Sequence, residues 1–183
     1  MALASWVPGA DGSGFPAEHL PFGVVSRRRA GPGDRGGPVV AVRIGDHALD
    51  LARLAAAGVV EGPFDRPSLN AFLALGPEAW AATRARLTAV ICDPAYRAAV
   101  RPALVPVADT VCHLPVEVAD YVDFYSSLEH ATNLGRLFRP GGDPLLPNWR
   151  DLPVAYHGRA GTVVVSGTPV RAAAAAASRF TNP

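Results

Sequence analysis

The sequence predicts a mainly β protein with short helices, in the α+β class. Residues 21–27 form an apolar run typical of a strand, and residues 39–51 alternate apolar and other side chains around a turn pair. Segments with helical spacing are short and are separated by Gly and Pro, of which the chain has 18 each. With 183 residues, 49% of them hydrophobic, the chain is long enough for one average domain or two small ones.

The amino-terminal segment carries the clearest strand signals. Residues 1–20 are rich in Gly, Pro and small polar residues, which predicts an irregular surface segment. An arginine-rich loop begins at Arg27 and runs to Gly37, and a solvated hairpin tip is favoured there over an anion-binding patch. Gly45 and Asp46 form a turn pair between two alternating runs, which predicts a β-hairpin.

Short helices and extended segments follow the hairpin. Short helices are expected at residues 51–57, 68–75 and 93–100, and extended segments at residues 104–107 and 110–114. A longer helix is expected to begin at Pro77. Proline suits the first turn of that helix, because the first N–H groups of a helix have no partner within it. Its apolar positions recur three to four residues apart and predict a face packed in the core: Trp80, Thr83, Leu87 and Val90.

Composition excludes several classes of function. The net charge of +1 gives no reason to expect a nucleic-acid or membrane-surface partner. No window is apolar enough to span a membrane and the start of the chain has no signal-peptide pattern, so a cytoplasmic protein is expected. The chain has no Lys, which excludes Schiff-base chemistry. Cys92 and Cys112 lack the partners of a zinc site, and reduced thiols are favoured.

The segment 117–167 concentrates groups that can do chemistry. Ser126 and Glu129 fit a capping box, so a helix is expected from residue 127 towards Phe138. His130 then lies in or near the first turn, on the same face as Leu134 and Leu137, which predicts a partly buried, neutral imidazole available as a base. A packed or capping histidine is the structural alternative.

Four further side chains flank that helix. The Asp123 carboxylate precedes it and suits a hard cation, although a helix cap is the common role for such a residue. Arg139 can join His130 only if the helix ends near Phe138, which the following Pro and two Gly favour. Tyr125 and Tyr156 offer phenols to a polar substrate, or simply hydroxyls to the protein. Residues 162–170 predict a strand that ends in a glycine turn.

These segments resemble the fumarylacetoacetase family. The stretches WVPGADGSGFPAEHLPFGVVS, VAVRIGDHALDL and SLNAFLALGPEAW are similar to its amino-terminal domain, an SH3-like barrel. HLPVEVADYVDFYSSLEHATNLGRLFRP, LLPNWRDLPVAYHGR and VVVSGTPV are similar to the start of its catalytic domain. The resemblance predicts an SH3-like domain in residues 1–115, a truncated β-rich catalytic domain in residues 116–170 and a low-complexity, Ala-rich tail in residues 171–183.

The resemblance also implies a reaction and a set of roles. It implies hydrolysis of a C–C bond in 4-fumarylacetoacetate to fumarate and acetoacetate, the last step of tyrosine breakdown, by a homodimer. His130 is similar to the general base, Tyr125, Arg139 and Tyr156 to substrate-binding residues, and Asp123 to a ligand of Ca²⁺ or Mg²⁺. The family's other metal carboxylates, and the Gln and Lys that stabilise its oxyanion, have no counterpart here, so we expect an incomplete metal site and an inactive or nearly inactive chain. A non-catalytic module that associates with a full-length homologue, and a hydrolase assembled from two chains, remain as alternatives.

Overall fold

The computed structural model describes residues 3–29, 37–158 and 160–169. The described residues divide into two compact units, of which the second lies within Val118–Val164 and the first comprises the other described residues. The predicted Ala-rich tail lies outside the described residues, as does most of the loop that follows the three consecutive arginines. Among the described residues, helices and antiparallel strands are mixed, as the α+β prediction requires. The prediction of a mainly β protein is wrong for these residues, because more of them lie in α-helices than in strands.

The first unit is built on a five-stranded antiparallel sheet with strand order β4-β3-β2-β1-β5. Its strands are β1 (Phe22–Arg27), β2 (Val39–Ile44), β3 (His47–Asp50), β4 (Leu104–Pro106) and β5 (Thr110–His113). β2 and β3 pair from Ile44 opposite His47 to Ala41 opposite Asp50, which confirms the predicted hairpin. Gly45 closes its turn at φ +52, and a Cβ there would lie 2.5 Å from the Gly9 carbonyl oxygen, so only glycine fits.

The first unit also contains four helices. They are α1 (Leu51–Ala56), α2 (Asn70–Leu73), α3 (Pro77–Cys92) and α4 (Arg97–Val100). Asp50 caps α1, since its carboxylate accepts the Arg53 N–H at 3.0 Å. Pro77 opens α3 as predicted, and Thr83, Leu87 and Val90 are buried, whereas Trp80 is 38% exposed and donates its indole N–H to the Phe72 carbonyl.

The two edge strands of the sheet are neighbours in sequence. A 3-10 turn of three residues, Val107–Asp109, joins β4 to β5. The chain advances four residues from Pro106, the end of β4, to Thr110, the start of β5, and can span at most about 14 Å over that length. The edge strands of a flat five-stranded sheet would lie about 19 Å apart. The sheet therefore curls strongly. No ladder between β4 and β5 closes it within the described residues, so the predicted SH3-like barrel is not confirmed.

The hydrophobic core lies in the first unit. Its largest fully buried side chains come from the sheet, α1, α3 and the connecting loops, and include Phe64, Leu20, Ile44, Leu49, Leu54, Leu87 and Ile91. Phe72 stacks on Phe22 at 5.3 Å and contacts Phe64 at 5.2 Å between ring centroids, which joins α2 to the sheet. None of the helices described here is both long and apolar enough to cross a membrane.

The second unit has little core. It contains a two-stranded ribbon of β6 (Asp123–Phe124) and β7 (Ala155–Tyr156), the helix α5 (Leu128–Phe138) and a 3-10 turn at Pro147–Arg150. The buried residues of α5 are Ala131 and Gly135. The strand predicted at residues 162–170 is wrong for the described residues 162–169, because Thr162 ends a 3-10 turn and no strand pairs with residues 163–169. Gly167 does form a turn, at φ +93.

Candidate functional site

A short ribbon brings together three of the residues predicted for a site. Asp123 of β6 lies opposite Tyr156 of β7 in the antiparallel register, and directly opposed residues carry their side chains on the same face. The rings of Tyr125 and Tyr156 meet edge to face, with centroids 6.2 Å apart and planes at 70°. The carboxylate and both phenols therefore belong to one local structure.

A cleft of about 400 Å³ opens beside Tyr125. Two separate segments line it, residues 125–126 and residues 149–154. The indole N–H of Trp149 donates to the Tyr125 carbonyl at 3.2 Å, which ties the 3-10 turn to the end of β6. Arg150 and Asp151 supply both signs of charge to the lining, so the cleft can hold a polar ligand.

The cap of α5 differs from the prediction by one residue. Ser127, rather than Ser126, is the N-cap, and its hydroxyl oxygen accepts the His130 backbone N–H at 3.3 Å. The same hydroxyl donates to the Glu129 carboxylate at 3.1 Å. In a capping box the carboxylate would instead accept the backbone N–H of the N-cap residue. The prediction of Ser126 as the cap is therefore wrong.

His130 occupies the first turn of α5, as predicted, but its side chain is exposed within this unit. The expected partial burial is wrong because the helix packs through another face, the one that carries Ala131 and Gly135. Leu137, on the face that His130 shares, is also exposed. The imidazole is accordingly accessible to solvent and to a ligand.

Arg139 follows the last turn of α5, which ends at Phe138 as predicted. Its guanidinium folds back on the next loop, where Nε donates to the Asp143 carbonyl at 3.4 Å and Nη2 to the Pro144 carbonyl at 2.6 Å. That loop lies against Gly135, where a Cβ would come within 1.8 Å of the Pro144 oxygen. Gly135 is not among the residues predicted for the site, although a glycine inside a helical pattern can signal close packing.

Nine residues separate His130, in the first turn of α5, from Arg139, which follows the last turn, and this corresponds to about 14 Å along the helix axis. The helix thus ends where the prediction required, but it does not bring the two side chains into contact. Asp123, Tyr125 and Tyr156 share the ribbon, while the base and the guanidinium mark the two ends of α5. The functional roles of all five residues remain predictions.

The described residues do not by themselves fit a cation site. No group of three or more His, Cys, Asp or Glu side chains converges in the part of the chain that the structure describes. A Ca²⁺ ion takes six to eight oxygen ligands, and the Asp123 carboxylate supplies two at most. The neighbouring Asp120 faces His157 at 3.4 Å, with both side chains exposed. No chemical step through a metal can be derived from this donor set.

Comparison with known proteins gives one consistent family. The family described as Fumarylacetoacetase N-terminal matches residues 18–115. A fumarylacetoacetase of Oryza sativa subsp. japonica is 46% identical over 180 residues, which are 92% of this chain and 42% of the relative. Fumarylacetoacetases of Homo sapiens and Caenorhabditis elegans are 42% and 41% identical, over 91% and 92% of this chain.

The chain spans about 42% of the length of the curated relatives that it matches. The family match covers β1 to β5 and the helices between them, which form the curled sheet and its core. The alignments with the individual fumarylacetoacetases extend beyond residue 115, since they cover more than nine-tenths of this chain. By its sequence and by the match to its first unit, the chain belongs to the fumarylacetoacetase N-terminal family.

Proposed function

We propose that residues 118–164 contribute part of a hydrolytic site of the fumarylacetoacetase type, which cleaves a C–C bond in 4-fumarylacetoacetate to give fumarate and acetoacetate. The observation that carries this proposal is identity of 41–46% to proteins named fumarylacetoacetase, continuing past the amino-terminal domain. The pairing of Asp123 with Tyr156, and the ring contact to Tyr125, support a shared site on the ribbon.

In this proposal His130 is the general base. Its exposed imidazole accepts a proton from water, and the resulting hydroxide attacks a carbonyl of the substrate. The C–C bond next to that carbonyl then breaks, its electron pair leaves with the departing enolate, and the imidazolium returns the proton to the enolate. Ser127 positions it, because the cap holds the His130 backbone in the first turn of α5. The base thus has a fixed backbone and a free side chain.

Arg139 and the two tyrosines orient the substrate carboxylates. Arginine has five N–H donors, and two of its nitrogens, Nε and Nη2, each donate to a loop carbonyl. Both hydrogens of Nη1 and the second hydrogen of Nη2 are left for a carboxylate, which suits a two-point contact. The loop contacts hold the guanidinium in place for that role.

The remaining groups of the site must come from outside the described residues. The family resemblance implies a Ca²⁺ or Mg²⁺ ion, and Asp123 is the residue here that would contribute a carboxylate to it. Because one carboxylate is too few, we propose that residues 118–164 alone do not hydrolyse the substrate. We also propose an SH3-like arrangement for the curled sheet, a homodimeric assembly and a place in tyrosine and phenylalanine breakdown.

A chimera tests the function. Residues 1–169 of this chain are joined to the part of the Oryza sativa relative that lies outside the aligned segment, and loss of the substrate's diketone absorbance is followed. We expect metal-dependent turnover by the chimera and none by the chain alone. In the chimera, His130→Ala should abolish turnover, because the water loses its base.

The matched control is Asn133→Ala, on the same helix and also exposed, which should leave turnover intact. A chimera with His130→Ala that remained fully active would overturn the assignment of the base. Turnover by the chain alone would overturn the proposal that its site is incomplete.

Exposed apolar residues favour a second function, association with a full-length homologue. The second unit leaves six large apolar side chains at least 54% exposed: Val122, Phe124, Leu137, Phe138, Leu146 and Leu152. Such surface is typical of interfaces. Co-expression with a tagged full-length homologue, followed by affinity purification, should recover both chains, and a strictly monomeric chain would contradict this function.

A further inference from the structure

A second cavity lies in the first unit, built only from residues of that unit. Its volume is about 300 Å³, at the lower end of the range for small-molecule sites. Seven residues line it: Trp6, Pro8, His47, Arg97, Arg101, Leu104 and Pro106. None of them is among the residues of the proposed hydrolytic site. The lining combines cationic groups with an aromatic and aliphatic wall.

Trp6 forms a fixed wall of this cavity. Its indole N–H donates to the Val90 carbonyl at 2.9 Å, and its backbone N–H donates to the Ile91 carbonyl at 3.2 Å. Two hydrogen bonds to the end of α3 therefore set the orientation of the ring. The Arg97 guanidinium carbon lies 5.8 Å from the ring centroid, within the range of a cation–π contact.

The cavity carries positive charge that nothing in the described structure neutralises. Within residues 3–29, 37–158 and 160–169, neither Arg97 nor Arg101 has an acidic partner or a side-chain hydrogen bond. Asp46, which precedes His47, lies near Gly9 and is not part of the lining. Asp93, four residues before Arg97, accepts the Ala95 N–H at 2.9 Å and is not part of the lining either. Two guanidinium groups thus stand beside the cavity with their donors unused.

His47 adds a neutral or cationic donor to the same wall. Its Nδ1 atom is buried and has no hydrogen-bond partner. Its Nε2 atom is not among the buried unpaired atoms and makes no hydrogen bond, so it is the accessible nitrogen of the ring. β3 fixes the position of this residue, since His47 pairs with Ile44 on one side and Pro106 on the other.

From these contacts we infer that the cavity bounded by Trp6, His47, Arg97 and Arg101 is a binding site for a small organic carboxylate with a flat, apolar body. The guanidinium groups and Nε2 donate to the carboxylate oxygens, and charge-assisted hydrogen bonds of this kind are the strong ones. The Trp6 ring, Leu104 and the two prolines contact the body of the ligand. An anion without such a body leaves half of the wall unused.

Sodium benzoate is the probe for this site. The ¹⁵N-labelled full chain is titrated at constant ionic strength, and the indole N–H signals of its three tryptophans are followed. A saturable shift of the Trp6 signal is expected, with the Trp80 and Trp149 signals unchanged. The variant Trp6→Phe identifies which signal belongs to Trp6.

Variants decide whether the charges cause the binding. Arg101→Gln should raise the Kd for benzoate at least about tenfold, the effect of losing one charge-assisted hydrogen bond. The matched control is Arg66→Gln, an exposed arginine outside the lining, which should leave the Kd unchanged. Benzamide, which has the same body and no charge, should not bind.

Three results would overturn the inference. They are the absence of a saturable Trp6 shift with benzoate, an equal loss of affinity in Arg66→Gln, and binding of sodium phosphate at the same place with the same Kd. The last result would show that the apolar wall has no part in recognition. The outcome does not depend on the hydrolytic function, since no residue of that site is changed.

Discussion

The Ser127 hydroxyl holds the first turn of α5 in place by contacts on both sides. It accepts the N–H of His130 and donates to the Glu129 carboxylate. A carboxylate in the first turn also complements the positive end of the helix dipole. The backbone that carries the proposed base therefore depends on one serine.

Replacing that serine tests the cap. Ser127→Ala should destabilise the first turn by about 1 kcal/mol, the usual cost of losing an N-cap, and hydrogen exchange at the His130 amide should become about fivefold faster. Ser126→Ala is the control, because Ser126 precedes the cap, and it should leave that exchange rate unchanged. A larger effect from Ser126→Ala would show that the sequence-based assignment was right after all.

Cys92 is a half-buried thiol at the end of α3. Burial raises its pKa, and the carboxylates of Glu18 and Asp11 raise it further. A raised pKa means less thiolate at any given pH and slower alkylation. In a Cys112→Ser variant, the alkylation rate with iodoacetamide is measured as a function of pH. The pH at which it reaches half its maximum should lie above the ordinary thiol pKa of about 8.5.

Cys112 provides the comparison for that thiol. It is exposed on β5, so a Cys92→Ser variant should react faster at pH 8 than the Cys112→Ser variant does. Mass spectrometry of the alkylated chain gives both rates. Equal rates in the two variants would contradict the environment that the structure assigns to Cys92.

At the scale of elements, α5 and the loop after it form one packed piece. Gly135 lets the Pro144 backbone lie directly on the helix, and Arg139 donates to two carbonyls of the same loop. Glycine inside a helix costs about 1 kcal/mol relative to alanine. Here that cost is offset by the contact that the missing Cβ allows.

This arrangement predicts the sign of a substitution. Gly135→Ala should improve helix propensity but place a methyl group 1.8 Å from the Pro144 oxygen, so the loop must move. Amide signals of residues 139–146 should shift in ¹⁵N spectra and exchange faster with solvent. Gly142→Ala is the control, since its Cβ meets nothing closer than 3.8 Å. A Gly135→Ala variant with unaltered signals would rule out the close contact.

Several elements were predictable because their signals are local. The β-hairpin with its Gly45 turn, the start of α3 at Pro77 and the end of α5 near Phe138 each follow from residues within a few positions of one another. The strand expected at residues 162–170 failed because a strand needs a partner, and pairing is not a local property. The cap of α5 was misplaced by one residue because the S-x-x-E spacing fits Ser126 and Glu129, whereas the helix begins one residue later and Ser127 caps it.

At the scale of the whole molecule, burial is unequal between the two units. The core residues of the sheet and its helices belong to the first unit, whereas Ala131 is the one buried apolar side chain among the residues whose burial is described in the second unit. Since burial of apolar surface is the main favourable term in folding, the second unit has little of its own to stabilise it. Residues 118–164 should therefore open more readily than residues 37–117.

Native-state hydrogen exchange measures this difference. Amides of β1, β2 and β3 should exchange only through global unfolding, while those of α5 should exchange at least about a hundredfold faster, in keeping with local opening at low free energy. Phe64→Ala, which removes a fully buried ring, should accelerate exchange throughout the sheet. Exchange as slow in α5 as in β2 would contradict the unequal stability.

The sequence by itself determined the α+β class, the hairpin, most helix positions and the identity of the residues proposed for chemistry, because periodicity, turn residues and motifs are written locally in the chain. Only the tertiary structure decided that β4 and β5 lie at opposite edges of the sheet, which must curl because three residues join them. It also decided that His130 is exposed and that one cavity is lined by Trp6, His47, Arg97 and Arg101. These facts depend on contacts between residues up to 95 positions apart, and spacing along the chain carries no record of which distant side chains meet once the core has packed.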